Sequence, residues 1–248
     1  MLQRTDGRKP NELRKLTFIL DYLKYPLGSC LAIAGNTMVL CSATYQKKVP
    51  PFLLGTAKGW ITAEYSLLPS STLERTNREA ITGRQSGRTQ EIQRFLGRAL
   101  RAVCDLTKLG ESQIIVDCDV LQADGGTRTV ALNGAFLALA RCVEKLLNQK
   151  IILESPIREH LGAVSVGYVA EHILLDLNYE EDSKAQVDMN VVMTESGRLI
   201  EVQATAEEKP ISKTKFYEML KLAETAIQEI IKTQKQVLFR TRKDAERI

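Results

Sequence analysis

The sequence predicts an α+β fold, mixed sheets packed with helices, in a single domain of residues 1–248. Three observations predict it. β-leaning segments come in runs, and each run is followed by a long helical pattern, once in each half of the chain. That ordering argues an α+β sandwich. No long linker separates the halves, so one domain is counted. An apolar fraction of 44% and a charged fraction of 26% are ordinary for a globular protein. At 248 residues the core can be large enough to need neither disulfide staples nor a structural metal.

A polar arm of about residues 1–13 comes first, and residues 15–22 then alternate weakly as a strand would. Residues 29–34 and 37–45 are apolar and β-leaning, joined by Gly35-Asn36, a tight-turn pair, and read as a hairpin. Residues 46–59, with Pro50, Pro51 and two glycines, read as a loop, and residues 60–68 as a further strand ended by Pro69. The clearest helix runs from 89 to about 106, with Ile92, Phe95, Leu96, Ala99, Leu100 and Val103 at helical spacing. A β-branched strand over 113–121 and a Gly125-Gly126 break precede a second helix over 129–147, apolar on most sides and therefore central.

The second half opens with strands at 163–169 and 172–179, then a loop over 180–186. Strands at 187–194 and 199–204 flank a Ser196-Gly197 turn. The last helix, 212–236, places Phe216, Leu220, Ala223, Ile227, Ile230 and Ile231 on one stripe, ahead of a charged tail of about 238–248 that reads as loose.

Net charge is only +4, so any nucleic-acid surface must be local. The five cysteines are an odd number with no CxxC pair, and most sit among apolar neighbours. They read as buried free thiols in a reducing compartment, with neither a disulfide framework nor a zinc site. The polar start shows no signal peptide, and no apolar run approaches a membrane span. A cytoplasmic protein with no membrane partner is expected.

Local basicity is concentrated in residues 70–101, which hold seven arginines, three acids and no lysine. Guanidinium offers a planar fork that grips phosphate oxygens in pairs, which an ammonium does not. Within this stretch GRQSGRTQE, residues 83–91, combines two glycines with Arg88 at a helix start. A lone glycine-rich turn is more often just a flexible turn. Here the glycines, Arg88, the flanking arginines and the free N–H groups of a helix start together point to an anion site. DGGTR, residues 124–128, repeats the device with Gly126, Thr127 and Arg128. The two nests could converge on one phosphate.

An acidic set, Glu180, Glu181, Asp182 and Asp188, lies between two strands, and antiparallel pairing would bring Asp182 and Asp188 to one sheet end. Most acidic loops are solvated turns. Paired carboxylates beside a phosphate site also suit Mg²⁺, a hard cation that neutralises charge during phosphoryl transfer. His160 and His172 have no partner at motif spacing and read as structural or surface groups. No nucleophile elbow, Walker A loop or HExxH is present.

These residues sit in longer stretches that resemble the bacterial ribonuclease PH family: RTDGRKPNELR, GSCLAIAGNTMVLCSATYQ, WITAEYSLLPSST, RTNREAITGRQSGRTQEIQR, DCDVLQADGGTRT and DMNVVMTESGRLIEVQATAE. The similarity spans about residues 4–234. The resemblance implies a ribonuclease PH-type fold and a 3′→5′ exoribonuclease that cuts by phosphorolysis, releasing nucleoside diphosphates, with inorganic phosphate as co-substrate. That reaction can run backward, so the resemblance also implies nucleotidyltransferase activity. It further implies tRNA precursors as chief substrates and a hexameric ring built as a trimer of dimers. Phosphate-binding roles carry over onto Arg88, Gly126, Thr127 and Arg128. A role in holding Mg²⁺ or another divalent cation, or in proton donation, carries over onto Asp182 and Asp188, so that Arg88, Arg128, Asp182 and Asp188 form the catalytic set. Arg75 and Arg78 match arginines that line the RNA path near a subunit interface. One departure is Ser70, where relatives commonly carry arginine, so one RNA contact is lost or replaced.

Two rivals remain. A non-catalytic RNA-binding ring subunit of an exosome-like assembly would be expected to lose the phosphate arginines or the acidic pair, and this chain keeps them. A nucleoside phosphorylase would need a phosphate site but not Arg75 and Arg78. Steep salt dependence of substrate binding would favour RNA.

Overall fold

A computed structural model describes residues 4–207 and 209–245. Among these, a first sheet has the strand order β1-β2-β3-β5-β4, built from β1 (Leu16–Leu20), β2 (Gly28–Ala34), β3 (Thr37–Gln46), β4 (Trp60–Leu67) and β5 (Gln113–Gln122). The Gly35-Asn36 hairpin forms as expected, pairing Ala34 with Thr37, and Gly35 supplies the positive φ of 56° that the turn needs. Strands β4 and β5 are parallel, so the chain must cross over between them. It does so through a short helix α1 (Glu79–Thr82) and the long α2 (Gly87–Ala102).

A second sheet, of order β7-β6-β8-β9, comprises β6 (Leu161–Val169), β7 (His172–Leu175), β8 (Val187–Thr194) and β9 (Leu199–Ala206), all antiparallel. Helix α3 (Thr127–Asn148) packs on the first sheet and also touches β6. Its residues Val130 to Leu139 are buried without interruption, as the apolar run predicts. Asn133 is the polar exception. Its Nδ2 donates to the Ala163 carbonyl and its Oδ1 accepts from the Ala163 N–H, each at 2.9 Å, so a buried amide ties α3 to β6. Helix α5 (Lys213–Ala245) covers the second sheet with Met219, Ala223, Ile227 and Ile230.

Four expectations need correction. The helix predicted to reach residue 106 stops at Ala102. Beyond it Cys104 bridges Ile157 and the Asp105 N–H donates to the Pro156 carbonyl at 2.7 Å, so strand-like pairing outcompetes the apolar periodicity. The strand predicted over 172–179 ends at Leu175, because Asp176 takes a left-handed φ of 53° and a helical turn α4 (Tyr179–Asp182) follows. The loop predicted over 180–186 therefore begins inside α4. The tail expected to be loose from 238 is helical through Ala245, and Leu238 is buried against the core; residues 246–248 lie outside the described residues.

All five cysteines are free and buried, as expected. Cys30, Cys41 and Cys118 face one another across β2, β3 and β5. Burial pushes the Cys104 and Cys142 thiols up to about 12, which leaves them unreactive at neutral pH. No helix among the described residues is long and apolar enough to cross a membrane.

Candidate active site

Three structural decisions build the site. The first is the start of α2. Ser86 caps it, its Oγ accepting from the Thr89 N–H at 3.1 Å. Glu79 of α1 folds over the same turn, accepting from the Ser86 N–H at 3.0 Å and from the Thr89 hydroxyl at 2.7 Å. Arg88 lies in the first helical turn, exposed, with the positive end of the helix behind it.

The second decision is the Asp124-Gly125-Gly126 turn before α3. Both glycines take positive φ, 74° and 62°. A Cβ on Gly125 would lie 2.5 Å from the Leu177 carbonyl oxygen, and one on Gly126 would lie 2.8 Å from an Arg14 nitrogen. Only glycine lets the turn sit this close to the 177–179 segment and to Arg14. Thr127 and Arg128 then open the helix, with free N–H groups beside them.

The third is α4. Asn178 and Glu181 form a capping box, the Asn178 side chain accepting from the Glu181 N–H at 3.0 Å. Asp124 Oδ1 accepts from the Tyr179 N–H at 3.1 Å, which pins α4 to the glycine turn. Asp182 at the end of α4 is thereby brought beside Asp188, which sits near the start of β8 opposite Gly167 and Thr205.

Arg88, Arg128, Asp182 and Asp188 thus gather at one place, close enough to act on one another electrostatically. Burial and the neighbouring Asp182 push the Asp188 carboxyl up to about 6, against the pull of Arg128, the Asn190 amide and Arg88. Asp182 is also raised by desolvation, and Arg88 and Arg128 oppose the shift. Two carboxylates crowded together prefer to share a proton or a cation. Asp188 Oδ2 accepts from Asn190 Nδ2 at 3.1 Å, whereas its buried Oδ1 has no hydrogen-bond partner among the described residues. A pair of hard oxygen donors with one buried oxygen unsatisfied fits a divalent cation.

Several supporting residues carry no local signal in sequence. Arg14 is 4% exposed and donates to Asp176 Oδ1 at 2.7 Å, to Asp176 Oδ2 at 3.1 Å and to the Asp124 carbonyl at 2.7 Å. Arg4 forks onto both Glu181 oxygens at 2.7 Å. The polar arm is therefore anchored under the site, and Glu181, one of the four acids in the candidate set, is a structural partner of Arg4. Tyr65 is buried on β4 and its hydroxyl donates to Thr127 Oγ1 at 2.9 Å. The acidic partners of Arg4 and Arg14, Glu181 and Asp176, lie 177 and 162 residues away, so only the resemblance of RTDGRKPNELR to a family pattern could have flagged them.

An open cleft of about 920 Å³ adjoins the site between the α1 loop, the start of α2 and the outer face of β4 and β5. Arg78, Arg84 and Arg88 line one wall, and Glu64, Asp117 and Asp119 the other. Arg88 is the shared border, since Thr127, Arg128, Asp182 and Asp188 lie outside the cleft lining. Arg75 is exposed nearby but does not line it, its Nη1 donating to Asn77 Oδ1 at 3.5 Å.

Comparison with known proteins matches residues 12–143 to domain 1 and residues 161–226 to domain 2 of the 3′ exoribonuclease family. Ribonuclease PH of Bacillus subtilis is 58% identical over 236 residues, covering 95% of this chain and 96% of that protein. The Bacillus velezensis enzyme is 56% identical over 239 residues, covering 96% and 98%. Among solved structures, rice Rrp46 has a TM-score of 0.76 at 21% identity, covering 95% of this chain and 100% of that one. A chain of the Archaeoglobus fulgidus exosome, solved with RNA bound to the active site, has a TM-score of 0.80 at 20% identity, covering 93% and 92%. The structural likenesses establish the fold, and the sequence matches establish the rest: this chain belongs to the ribonuclease PH family of 3′ exoribonucleases.

Proposed function

We propose that the junction of Arg88, Gly126, Thr127, Arg128, Asp182 and Asp188 is where this phosphorolytic 3′→5′ exoribonuclease binds phosphate and cuts RNA. The observation that carries the assignment is the convergence of two helix N-termini, each bearing an arginine, on a crowded carboxylate pair. Inorganic phosphate is held by Arg88, Arg128, Thr127 and the free N–H groups of α3. One of its oxygens attacks the terminal phosphodiester phosphorus in line. The new P–O bond yields a nucleoside diphosphate, and the bond to the 3′ oxygen of the preceding nucleotide breaks. The leaving oxygen takes a proton, and a carboxyl with its proton affinity raised, as in the Asp182–Asp188 pair, can supply it. Charge repulsion between two phosphate groups is the main barrier, and fixed guanidiniums oppose it without reorganisation. Mg²⁺ or another divalent ion held by Asp182 and Asp188 would neutralise charge on the scissile group.

The substrates are tRNA precursors with extra 3′ nucleotides, the RNA end passing Arg75 and Arg78. The working form is a hexameric ring, a trimer of dimers, in the cytoplasm. Near-full-length similarity to bacterial ribonuclease PH supports this reading. The non-catalytic ring subunit is not favoured, since both arginines and both aspartates are present.

The test is to incubate the protein with Mg²⁺ and a short RNA bearing an unpaired 3′ tail, with and without inorganic phosphate. Nucleoside diphosphates appearing only with phosphate support the proposal. Nucleoside monophosphates without phosphate would mean hydrolysis and remove the phosphate site.

A further inference from the structure

Arg128 reaches the site already held by two side chains. Its Nη1 donates to Gln203 Oε1 on β9 at 2.6 Å and to Glu91 Oε1 on α2 at 3.3 Å. Gln203 Nε2 in turn donates to the same Glu91 oxygen at 3.0 Å and to Glu201 Oε1 at 2.9 Å. Because two carboxylates take the Gln203 NH₂ group, its carbonyl oxygen must face Arg128. The three side chains close a ring of hydrogen bonds drawn from three elements, and β9 belongs to the other sheet. Arg128 is 16% exposed at its side chain and Glu91 34%, so the ring is partly shielded from water.

We infer that Gln203 and Glu91 are positioning residues that fix the Arg128 guanidinium for phosphate. This rests on the reading that Arg128 binds phosphate. A carboxylate beside an anion site is otherwise unfavourable, since it weakens the very charge the ligand needs. Its use is geometric. Both contacts fall on one nitrogen, Nη1, and a guanidinium carries five N–H donors. The Nη2–Nε side remains to grip a pair of phosphate oxygens. A long arginine left free would lose its rotamer freedom each time phosphate binds. One fixed in advance does not. Gln203 thereby makes the phosphate site depend on β9, so the second sheet contributes to the nucleophile's geometry as well as to Asp188.

The test is a double-mutant cycle on phosphorolysis of a short RNA in Mg²⁺, with phosphate and RNA varied separately. Gln203→Met keeps the length and removes both hydrogen-bonding ends. It should raise the KM for phosphate about tenfold, the effect of losing one charge-assisted hydrogen bond. The KM for RNA should be unchanged and kcat altered by less than about threefold. In an Arg128→Ala background the same change should add nothing, because Gln203 acts through Arg128. Gln203→Ala serves if the methionine variant does not fold. A phosphate KM unmoved by Gln203→Met, or an undiminished effect in the Arg128→Ala background, would overturn the inference. If Arg128→Ala itself leaves the phosphate KM unchanged, the reading of Arg128 as a phosphate ligand fails instead.

Discussion

Replacing Arg14 with methionine should cost this protein a large part of its stability, and the loss should shrink in acid. Arg14 and Asp176 are each 4% exposed and 162 residues apart in sequence. Asp176 accepts from the Arg14 backbone N–H at 2.9 Å, from Nε at 3.1 Å and from Nη2 at 2.7 Å. Methionine fills much of the space but leaves Asp176 a buried charge that has lost its closest cation. Arg8 Nη1 stands 3.8 Å away and is only a partial substitute. Breaking a buried pair from one side typically costs about 3–5 kcal/mol, against a total of about 5–15 kcal/mol for a native protein. Three carbonyl and hydroxyl contacts to Asp124, Gly125 and Thr37 go at the same time.

The pH dependence separates this cause from simple loss of packing. Asp176 is pushed up by burial, but the Arg14 charge and hydrogen bonds outweigh that and hold its carboxyl below the ordinary range. A depressed folded pKa means stability that is present above the unfolded pKa, about 3.9, and is lost as pH falls through the folded value. In Arg14→Met the same carboxyl, buried with its main cation gone, protonates more readily and so recovers in acid. The gap in unfolding free energy between the two proteins, read from urea titrations by circular dichroism, should therefore be largest near pH 7. It should begin to narrow above pH 4, as the variant's buried carboxyl takes up its proton, and go on narrowing below about pH 4 as the wild-type pair loses its contribution. A gap under about 1 kcal/mol at pH 7, or one that widens in acid, would refute the account.

Arg88→Ala should raise the phosphate KM far more than it weakens RNA binding; a collapse of RNA affinity with unchanged phosphate saturation would remove Arg88 from the phosphate site. Gly125→Ala should destabilise the fold by more than about 1 kcal/mol, since φ is 74° and the new Cβ meets backbone at 2.5 Å, and thermal unfolding reads the loss directly. Arg75→Ala with Arg78→Ala should flatten the salt dependence of RNA binding by about 0.7 in log–log slope for each arginine that touches a phosphate, with phosphate KM unmoved. Two guanidiniums, Arg88 and Arg128, face three carboxylates, Asp182, Asp188 and Glu91, so phosphate and Mg²⁺ should each bind more tightly in the presence of the other. Phosphate titration calorimetry with and without Mg²⁺ measures that coupling, and equal affinities would exclude it.

The parts of this molecule that sequence made legible are those whose physics is local. Glycine for close approach and an arginine within one turn are a local signal for an anion at a helix N-terminus, and both GRQSGRTQE and DGGTR carry that signal within nine residues or fewer. Helix α3 announced its central place because its apolar residues leave almost no polar face. The Gly35-Asn36 hairpin follows from the φ that the turn demands. Where the structure departs from the local pattern, a distant partner decides it. The 172–179 strand broke at Asp176 because that carboxylate turns inward to Arg14, and the long arginine helix stopped early because residues 103–105 pair with 156–158.

The same division runs through the site itself. Arg128 was visible from its motif, whereas Gln203 and Glu91, which hold it, are 75 and 37 residues away and look like ordinary surface residues. Asp182 and Asp188 were visible as a pair, but the role of Glu181 beside them was not, because Arg4 lies 177 residues earlier. The residues proposed to touch the reacting groups are of types whose chemistry sequence spacing can express. Residues that hold them in place are constrained only by the fold that brings both sheets to one point, and a buried arginine such as Arg14 has no sequence signature apart from its partner.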